Sequence, residues 1–227
     1  KKVCVISCPG EFNFSRINNL GVKKAKGNFL CFVNNDISID MSDWLKQLVS
    51  WGLRKNVGFV GPKLLFPNNS IQHCGIGLGI GGVAGHLNKG MPDKSKGYAL
   101  RAACVHNISA VTGACMLVKK SIFDDVNGFD DVNLKVAFND IDLCLKIVDK
   151  GYYGICNPHS VLYHHESATR GYEDTPEKEK RFLKEYNFMI NKWGYILEND
   201  PFYNPNLSLK TVDFALAHPP RISKPWI

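Results

Sequence analysis

The sequence lacks the patterns of a membrane-spanning or a secreted protein. Its longest apolar runs, such as the one ending at Val33, are interrupted within about ten residues, whereas a transmembrane helix needs roughly 20. No charged leader followed by an apolar stretch and a small-residue cleavage site occurs, so no secretory signal is predicted. The chain also begins at Lys1 without a methionine, which suggests a processing site or a boundary inside a longer protein.

The sequence also lacks a CxxC pair, although it contains eight cysteines. Several lie among apolar neighbours, as Cys31 does between Leu30 and Phe32, which is typical of small buried side chains. We therefore expect free thiols in a reducing, cytoplasmic environment rather than a disulfide framework or a thiolate metal site.

Basic residues outnumber acidic ones by 28 to 21, which gives a formal net charge of +7. A basic surface suits a polyanionic ligand or an anionic membrane, so peripheral contact with the inner membrane face is compatible with the sequence. No basic stripe with interleaved aromatics is present, and we expect no nucleic-acid partner. A composition of 44% hydrophobic and 22% charged residues is typical of a globular domain.

Helical and strand patterns alternate in the first third of the chain, which predicts an α/β protein with a mixed, mostly parallel sheet flanked by helices. Ser15 is expected to cap a helix that Gly27 ends, and residues 28–33 follow as a buried parallel strand. A second helix is predicted over 42–56. A β-hairpin around the Pro-Asn-Asn turn is predicted over 63–74.

The rest of the chain continues the alternation. A short helix is expected from Ser121, an amphipathic helix from Asn139 to Gly151, and strand-like residues thereafter. A charged helix is predicted from Thr175 to about Trp193, followed by an extended tail. We therefore divide the chain into a main α/β region, 1–174, and a C-terminal helix and tail, 175–227.

A glycine-dense segment at 75–90 lies between the first third of the chain and the later helices. Gly77, Gly79 and Gly82 match the spacing of a dinucleotide-binding fingerprint, but that motif needs a helix directly after the glycines. The residues at 83–90 show no helical pattern, so we predict a mobile loop instead. A further small-residue run contains Gly113 and Ala114, and it fits either close approach of a ligand or tight packing.

Candidate site residues occur where predicted elements begin or end. Asp36 follows a predicted strand, Asp140 opens a predicted helix, and His164 ends a later strand. Ligands of open α/β sheets bind beyond the carboxyl ends of strands. Asp36 and one histidine suit Mg²⁺ or Mn²⁺, which leaves Asp140 as a possible base, although a carboxylate in a first helical turn also fits simple capping. Neighbouring strand residues face opposite ways, so at most one of His164 and His165 joins the site.

The ordered motifs resemble those of family 2 glycosyltransferases with the GT-A fold, in particular the branch that builds bacterial surface polysaccharides. The resemblance rests on blocks at 17–36, 113–116, 128–130, 138–146, 163–166, 171–176 and 200–207. It covers nearly the whole chain, and the order of the blocks is more specific than any one block.

The resemblance implies transfer of a sugar from a nucleotide-diphosphate sugar to a glycan or lipid-linked acceptor, typically with inversion. It implies that Asp36 and His164 hold Mn²⁺ or Mg²⁺ and that Asp140 is the general base. It further assigns donor binding to Asn34, Asn35, Asp36, Gly113 and Ala114, and acceptor binding to Asn139 and Asp142.

The sequence departs from the family at several positions. Asn34 stands where the family often has Asp, Asn139 replaces the more usual Glu, and Asn18 stands where many members have Arg. The two strand–helix units that normally bind the nucleotide base are not recognised before Ser15, so we expect an N-terminally truncated GT-A region. The alternatives are a non-catalytic carbohydrate- or partner-binding remnant and, more distantly, a metal-dependent hydrolase.

Overall fold

The computed structural model describes residues 3–165 and 175–222, which form a mixed α/β protein. The helices are α1 (Phe14–Lys24), α2 (Trp44–Gly52), α3 (Lys120–Asp125), α4 (Asn139–Asp149) and α5 (Pro176–Glu198). The strands are β1 (Phe29–Val33), β2 (Ile37–Ser38), β3 (Val57–Leu65), β4 (Ile71–His73), β5 (Ile76–Leu78), β6 (Ala84–His86), β7 (His106–Ile108), β8 (Cys115–Lys119) and β9 (Tyr153–His164).

Seven strands form one central sheet. Its order is β1-β8-β3-β9-β2, with β4 added beside β3 and β7 beside β9. Strands β3 and β9 run parallel, but the other pairings of this sheet in the described residues are antiparallel. The mixed sheet is confirmed, whereas its predicted mostly parallel character is wrong. A continuous apolar strand records burial and not direction, and β1 turned out to pair antiparallel with β8.

Apolar side chains fill both faces of the sheet. Successive residues of β3 point to opposite sides, so Phe59 joins one cluster and Val60 the other. Leu48 of α2 covers the face of Val60. Helices α1, α3, α4 and α5 contribute to the larger cluster on the face of Phe59. The prediction of a sheet flanked by helices is therefore confirmed.

The helix ends agree with the sequence prediction for α4 and α5 and differ from it for α1. Asn13 caps α1, because its side-chain oxygen accepts a hydrogen bond from the Arg16 N–H at 2.9 Å. The predicted cap, Ser15, is buried instead and donates to the Leu134 carbonyl. Gly27 is not in the left-handed region, so the predicted stop of α1 is also wrong. The starts of α4 and of α5 are confirmed, and Thr175 caps α5.

The glycine-dense segment forms the hairpin of β5 and β6 rather than a mobile loop. Leu78 is fully buried there. Gly79 and Gly82 have positive φ, and a Cβ on either would collide with α5, at the Leu197 carbonyl and the Tyr186 hydroxyl. The glycines thus allow close packing against a helix more than 100 residues away in sequence. The prediction that no dinucleotide-binding helix follows them is confirmed.

Several sequence features lie at the margins of the described structure. The boundary proposed at residue 174, the preceding residues 171–173 and Glu166 fall outside the described residues.

All eight cysteines are free thiols, and none forms a disulfide. Among the helices of residues 3–165 and 175–222, none combines the length and apolar character needed to cross a bilayer.

Candidate functional site

Three segments that are distant in sequence meet at the end of β1. The Asn34 N–H donates to the Ala114 carbonyl at 2.9 Å, which joins the turn after β1 to the residues before β8. The neighbouring Gly113 N–H donates to Asp140 Oδ2 at 2.8 Å, which joins the same residues to the first turn of α4. Hydrogen bonds donated by two backbone N–H groups therefore connect the predicted donor-binding segments to the predicted base.

Asp36 and His164 face each other beside this turn. Strand β2 pairs with the end of β9, which brings Asp36 Oδ1 to 3.1 Å from His164 Nε2. Both side chains are largely buried, with 13% and 12% of their surfaces exposed. His165 faces away, with Nε2 at 2.8 Å from Ser38 Oγ. Of the two adjacent histidines, His164 is thus the one that meets Asp36.

A glutamine fixes the proton position on His164. Gln72 Oε1 lies 2.6 Å from His164 Nδ1, and an amide oxygen can only accept, so the proton of the neutral ring is on Nδ1. Nε2 then presents a lone pair to Asp36 Oδ1, a buried oxygen with no hydrogen-bond partner in the described residues. Asn34 Nδ2 lies 3.5 Å from the same nitrogen. A proton or a cation between Nε2 and Oδ1 would satisfy both atoms.

The facing pair fits a divalent cation. Adjacent ligands of an octahedral Mg²⁺ lie about 2.9 Å apart, since each bond is roughly 2.0–2.1 Å long, and the observed separation is close to this. A metal-bound histidine usually donates its other N–H to a nearby oxygen, as His164 does to Gln72. Within the described part of the chain, no group of three or more His, Cys, Asp or Glu forms a metal cluster. In such a site Asp36 and His164 would be two ligands, and other groups would have to complete the coordination.

Asp140 lies at the start of α4 with its carboxylate held by backbone donors. Phe138 precedes the helix in the left-handed conformation, and the Ile141 N–H donates to Asp140 Oδ1 at 2.9 Å. Burial raises the pKa of Asp140, and the N–H groups of Gly113 and Ile141 oppose that rise. A raised pKa suits a general base, because the conjugate acid forms more readily.

Asp140 opens into a pocket of about 170 Å³. That volume is more than ten times the roughly 10–15 Å³ that one water needs. The pocket is lined by Ile76, Ala84, Gly85, His86, Phe138, Asp140 and Ile141. The hairpin of β5 and β6 and the start of α4 thus form its walls together.

A second pair of histidines lies beside this pocket. His73 of β4 is fully buried, and its Nδ1 lies 3.1 Å from Nδ1 of His86 in β6. Burial lowers the pKa of His73 well below its ordinary value, and nearby histidines reinforce that shift. Burial also lowers the pKa of His86 to about 4, with a smaller contribution from Lys89. Both rings are therefore neutral near pH 7.

The two residues predicted to bind the acceptor are placed differently from that prediction. Asn139 is 4% exposed, and its side-chain N–H donates to the Val136 carbonyl at 2.9 Å. Asp142 is fully buried and accepts hydrogen bonds from Lys192 Nζ at 2.7 Å and Trp193 Nε1 at 2.9 Å. Asp142 thus joins α4 to α5, and neither residue offers a surface to an acceptor. We correct both assignments to structural roles.

The small residues predicted to bind the donor pack against neighbouring residues of the site. A Cβ on Gly113 would lie 3.3 Å from the Cβ of Asp140 and 3.4 Å from the ring of Phe14, so tight packing accounts for this glycine. Ala114 is 6% exposed, and its carbonyl accepts a hydrogen bond from the Asn34 N–H. Asn35 is exposed in the turn between Asn34 and Asp36, where its side chain is accessible to a ligand.

Sequence reasoning did not find Gln72, His73 or His86. Residues 71–74 were correctly predicted to form a strand, and β4 contains two polar side chains that are almost completely buried. A buried polar residue in a strand needs a partner, and that requirement was the available signal. His86 lay in the segment that was predicted to be a loop.

Comparison with solved structures identifies the fold as that of GT-A glycosyltransferases. The chain is similar to the crystal structure of GalNAc-T7 with UDP, GalNAc and Mn²⁺, with a TM-score of 0.61 and 14% sequence identity. The match covers 88% of this chain and 39% of that one. The predicted GT-A fold is therefore confirmed.

Two relatives are similar in sequence. Uncharacterized protein y4gI of Sinorhizobium fredii (strain NBRC 101917 / NGR234) is 45% identical over 219 residues, which are 96% of this chain and 24% of that protein. O-antigen biosynthesis protein RfbC of Myxococcus xanthus is 35% identical over 211 residues, which are 92% of this chain and 16% of that protein. No family model matches the sequence. The chain thus spans about a quarter or less of the relatives it matches.

Proposed function

We propose that this chain transfers a sugar from a nucleotide-diphosphate sugar to a hydroxyl of a glycan or lipid-linked acceptor, with a divalent cation and with inversion. The observation that carries the proposal is the facing pair of Asp36 Oδ1 and His164 Nε2, 3.1 Å apart at the end of the sheet. This pair lies in the GT-A fold, and hydrogen bonds of Asn34 and Gly113 connect its turn to a buried carboxylate with a raised pKa, that of Asp140.

Asp36 and His164 would hold Mn²⁺ or Mg²⁺. Such an ion neutralises the negative charge that develops on a departing nucleoside diphosphate. Two protein ligands suffice for this purpose, because Mg²⁺ commonly completes its shell with substrate phosphates and water. Asn34 would offer its amide oxygen to the cation or its amide N–H to a phosphate oxygen. The exposed Asn35 follows it in the chain and would be free for further contact with the donor.

Asp140 acts as the general base in this proposal. The acceptor O–H would lose its proton to the carboxylate while the acceptor oxygen forms a bond to the anomeric carbon of the donor. The bond from that carbon to the diphosphate oxygen breaks on the opposite side, which inverts the anomeric configuration. Gly113 and Ile141 hold the two carboxylate oxygens, and this orients the base before the acceptor arrives.

The names of two similar proteins fit a reaction with a nucleotide-sugar and a metal ion. GalNAc-T7 was crystallised with UDP, GalNAc and Mn²⁺, and RfbC is named for O-antigen biosynthesis. The net charge of +7 is compatible with an anionic donor and with peripheral contact with the inner face of a membrane. We accordingly propose a cytoplasmic enzyme of surface-polysaccharide synthesis.

Calorimetry with UDP, GDP and dTDP, each with and without Mn²⁺, tests the proposal. We expect at least one nucleotide to bind in a Mn²⁺-dependent way. Asp36→Ala should weaken that binding by at least roughly 10- to 100-fold, which is the typical cost of losing even an outer-shell partner of a metal ligand. Asp40→Ala is the matched control, since Asp40 is an exposed carboxylate four residues away. Absence of metal-dependent binding for every nucleotide would favour a non-catalytic remnant of the fold.

A further inference from the structure

The pocket beside Asp140 contains a second polar group that the proposed reaction does not yet use. His86 forms part of its wall from strand β6, while Asp140 contributes from α4. Among the described residues, no lysine or arginine lines this pocket, and Asp140 is the one acid that does. An anionic group would be repelled by Asp140 and would find no cation there. The pocket is therefore suited to a neutral, hydroxyl-bearing ligand.

A chain of hydrogen bonds determines which nitrogen of His86 bears the proton. The Gly75 N–H donates to His73 Nε2 at 3.4 Å, so that nitrogen is an acceptor and the proton of His73 is on Nδ1. His73 Nδ1 then donates to His86 Nδ1, 3.1 Å away. In the neutral ring of His86, the remaining proton must be on Nε2.

The Nε2–H of His86 is available to a ligand. No protein atom of the described residues accepts it, and His86 is one of the residues that line the pocket. His73 is fully buried and in hydrogen-bond contact with His86. Because burial and the charge of Lys89 keep the pKa of His86 at about 4, the ring donates as a neutral group near pH 7.

We propose that His86 donates a hydrogen bond from Nε2 to a hydroxyl oxygen of the sugar substrate that lies against Asp140, and that His73 is the positioning residue that directs this donor. This inference rests on the proposed function, because it takes the occupant of the pocket to be a substrate of the transfer. The hydroxyl could belong to the acceptor or to the sugar of the donor, and the two sources predict different kinetic effects.

The first test measures the proton positions directly, without any substrate. Two-bond ¹H–¹⁵N correlation spectra of the imidazoles distinguish a ring protonated on Nδ1 from one protonated on Nε2. We expect His73 protonated on Nδ1 and His86 on Nε2 in the free protein at pH 7.5, with assignments from His73→Asn and His86→Gln. A proton on Nδ1 of His86 would overturn the proposal, since Nε2 could then only accept.

The second test exploits two amides that imitate different nitrogens of the ring. The amide nitrogen of glutamine reaches the place of Nε2, whereas that of asparagine reaches only the place of Nδ1. We expect His86→Asn to raise one KM about tenfold, the cost of one lost neutral hydrogen bond, and His86→Gln to restore most of the loss. His106→Asn is the matched control, because burial lowers the pKa of His106 to about 4 and yet it does not line the pocket.

Steady-state assays with UDP-glucose, UDP-GlcNAc, GDP-mannose and dTDP-rhamnose, each with Mn²⁺ and a panel of free monosaccharides, give both KM values. A rise in the acceptor KM assigns the hydroxyl to the acceptor, and a rise in the donor KM assigns it to the donor sugar. Unchanged KM values in His86→Asn, or a loss that His86→Gln does not restore, overturn the role of His86 while leaving the proposed function intact. Absence of Mn²⁺-dependent nucleotide binding by the unmodified chain overturns both.

Discussion

Two aspartates in the first turn of one helix have opposite environments. Asp140 opens into the pocket, held by two backbone N–H groups. Asp142, two residues later, is fully buried and contacts Lys192, Trp193 and Lys146. Residues two apart on an α-helix point about 200° away from each other, so one faces the site and the other the packed interior. An aspartate on one side of α4 is thus placed to react with a ligand, whereas the aspartate on the other side attaches α4 to α5.

The identical substitution at both positions separates these roles. An Asp→Asn change removes the charge and the basicity while keeping the size of the side chain. At Asp140 the change should affect turnover, and at Asp142 it should affect stability. The difference between the two variants is therefore more informative than either result alone.

Asp140→Asn should have the largest effect, a loss of turnover of roughly 10²- to 10⁴-fold, because an amide cannot accept the acceptor proton. Release of nucleotide from the donor panel in the presence of Mn²⁺ measures it. Nucleotide affinity should be unchanged, since the pair of Asp36 and His164 is untouched. Full turnover in this variant would refute Asp140 as the base.

The thermal stability of Asp140→Asn provides the internal control. The amide oxygen can still accept from Gly113, but the amide NH₂ then replaces the oxygen that accepts from Ile141, while burial no longer opposes a charge at this position. These effects oppose each other, and we expect a free energy of unfolding within about 1 kcal/mol of that of the unmodified protein. A loss of several kcal/mol would mean that Asp140 mainly holds the fold together, as its possible role in capping suggested.

Asp142→Asn should destabilise the protein by about 2–3 kcal/mol. Breaking a buried ion pair by removing one partner costs about 3–5 kcal/mol, and the partial exposure of Lys192 and Lys146 reduces that value. Denaturant unfolding followed by circular dichroism measures it. Turnover per folded molecule should stay within about twofold, and a much larger loss would return Asp142 to the site.

The sequence predicted features that depend on local signals and missed those that depend on contacts with distant residues. The helical period of α4 and the cap of α5 are local signals, and both elements were predicted correctly. Which of Asp140 and Asp142 faces the pocket depends on α5, which begins more than 30 residues later. The hairpin of β5 and β6 was missed for the same reason, because its glycines are explained by contacts with α5 and not by local propensity.

Acidification should destabilise the folded protein, because two buried histidines beside the pocket have lowered pKa values. Burial and Lys89 lower the pKa of His86 to about 4, while the unfolded chain titrates near 6.5, so the unfolded state binds more protons in between. The stabilisation that comes from the lowered pKa of His86 is complete above pH 6.5 and decreases as the pH falls towards 4. About 2 kcal/mol of it should be lost at pH 5. Buried His73, whose pKa is also lowered, acts in the same direction.

Chemical unfolding of the unmodified protein and of His86→Gln between pH 5 and 7.5 checks this prediction. The variant lacks the titrating ring, so its stability should fall less steeply with acidification. Asp142→Asn should keep the steep dependence, because it leaves both histidines in place. Equal slopes for the unmodified protein and His86→Gln would show that His86 does not titrate as a buried group.

Lys192→Met should have the smallest effect and shows how the attachment of α5 is divided among its partners. Lys192 is partly exposed and lies over the rings of Phe188 and Trp193 at 5.4 and 5.2 Å, so methionine keeps the apolar stem in contact. The Trp193 N–H and Lys146 remain beside Asp142, and we expect a loss of about 1 kcal/mol. A double-mutant cycle with Asp142→Asn measures the coupling. If Lys192→Met alone costs as much as Asp142→Asn, the charge pair carries nearly the whole attachment and Trp193 contributes little.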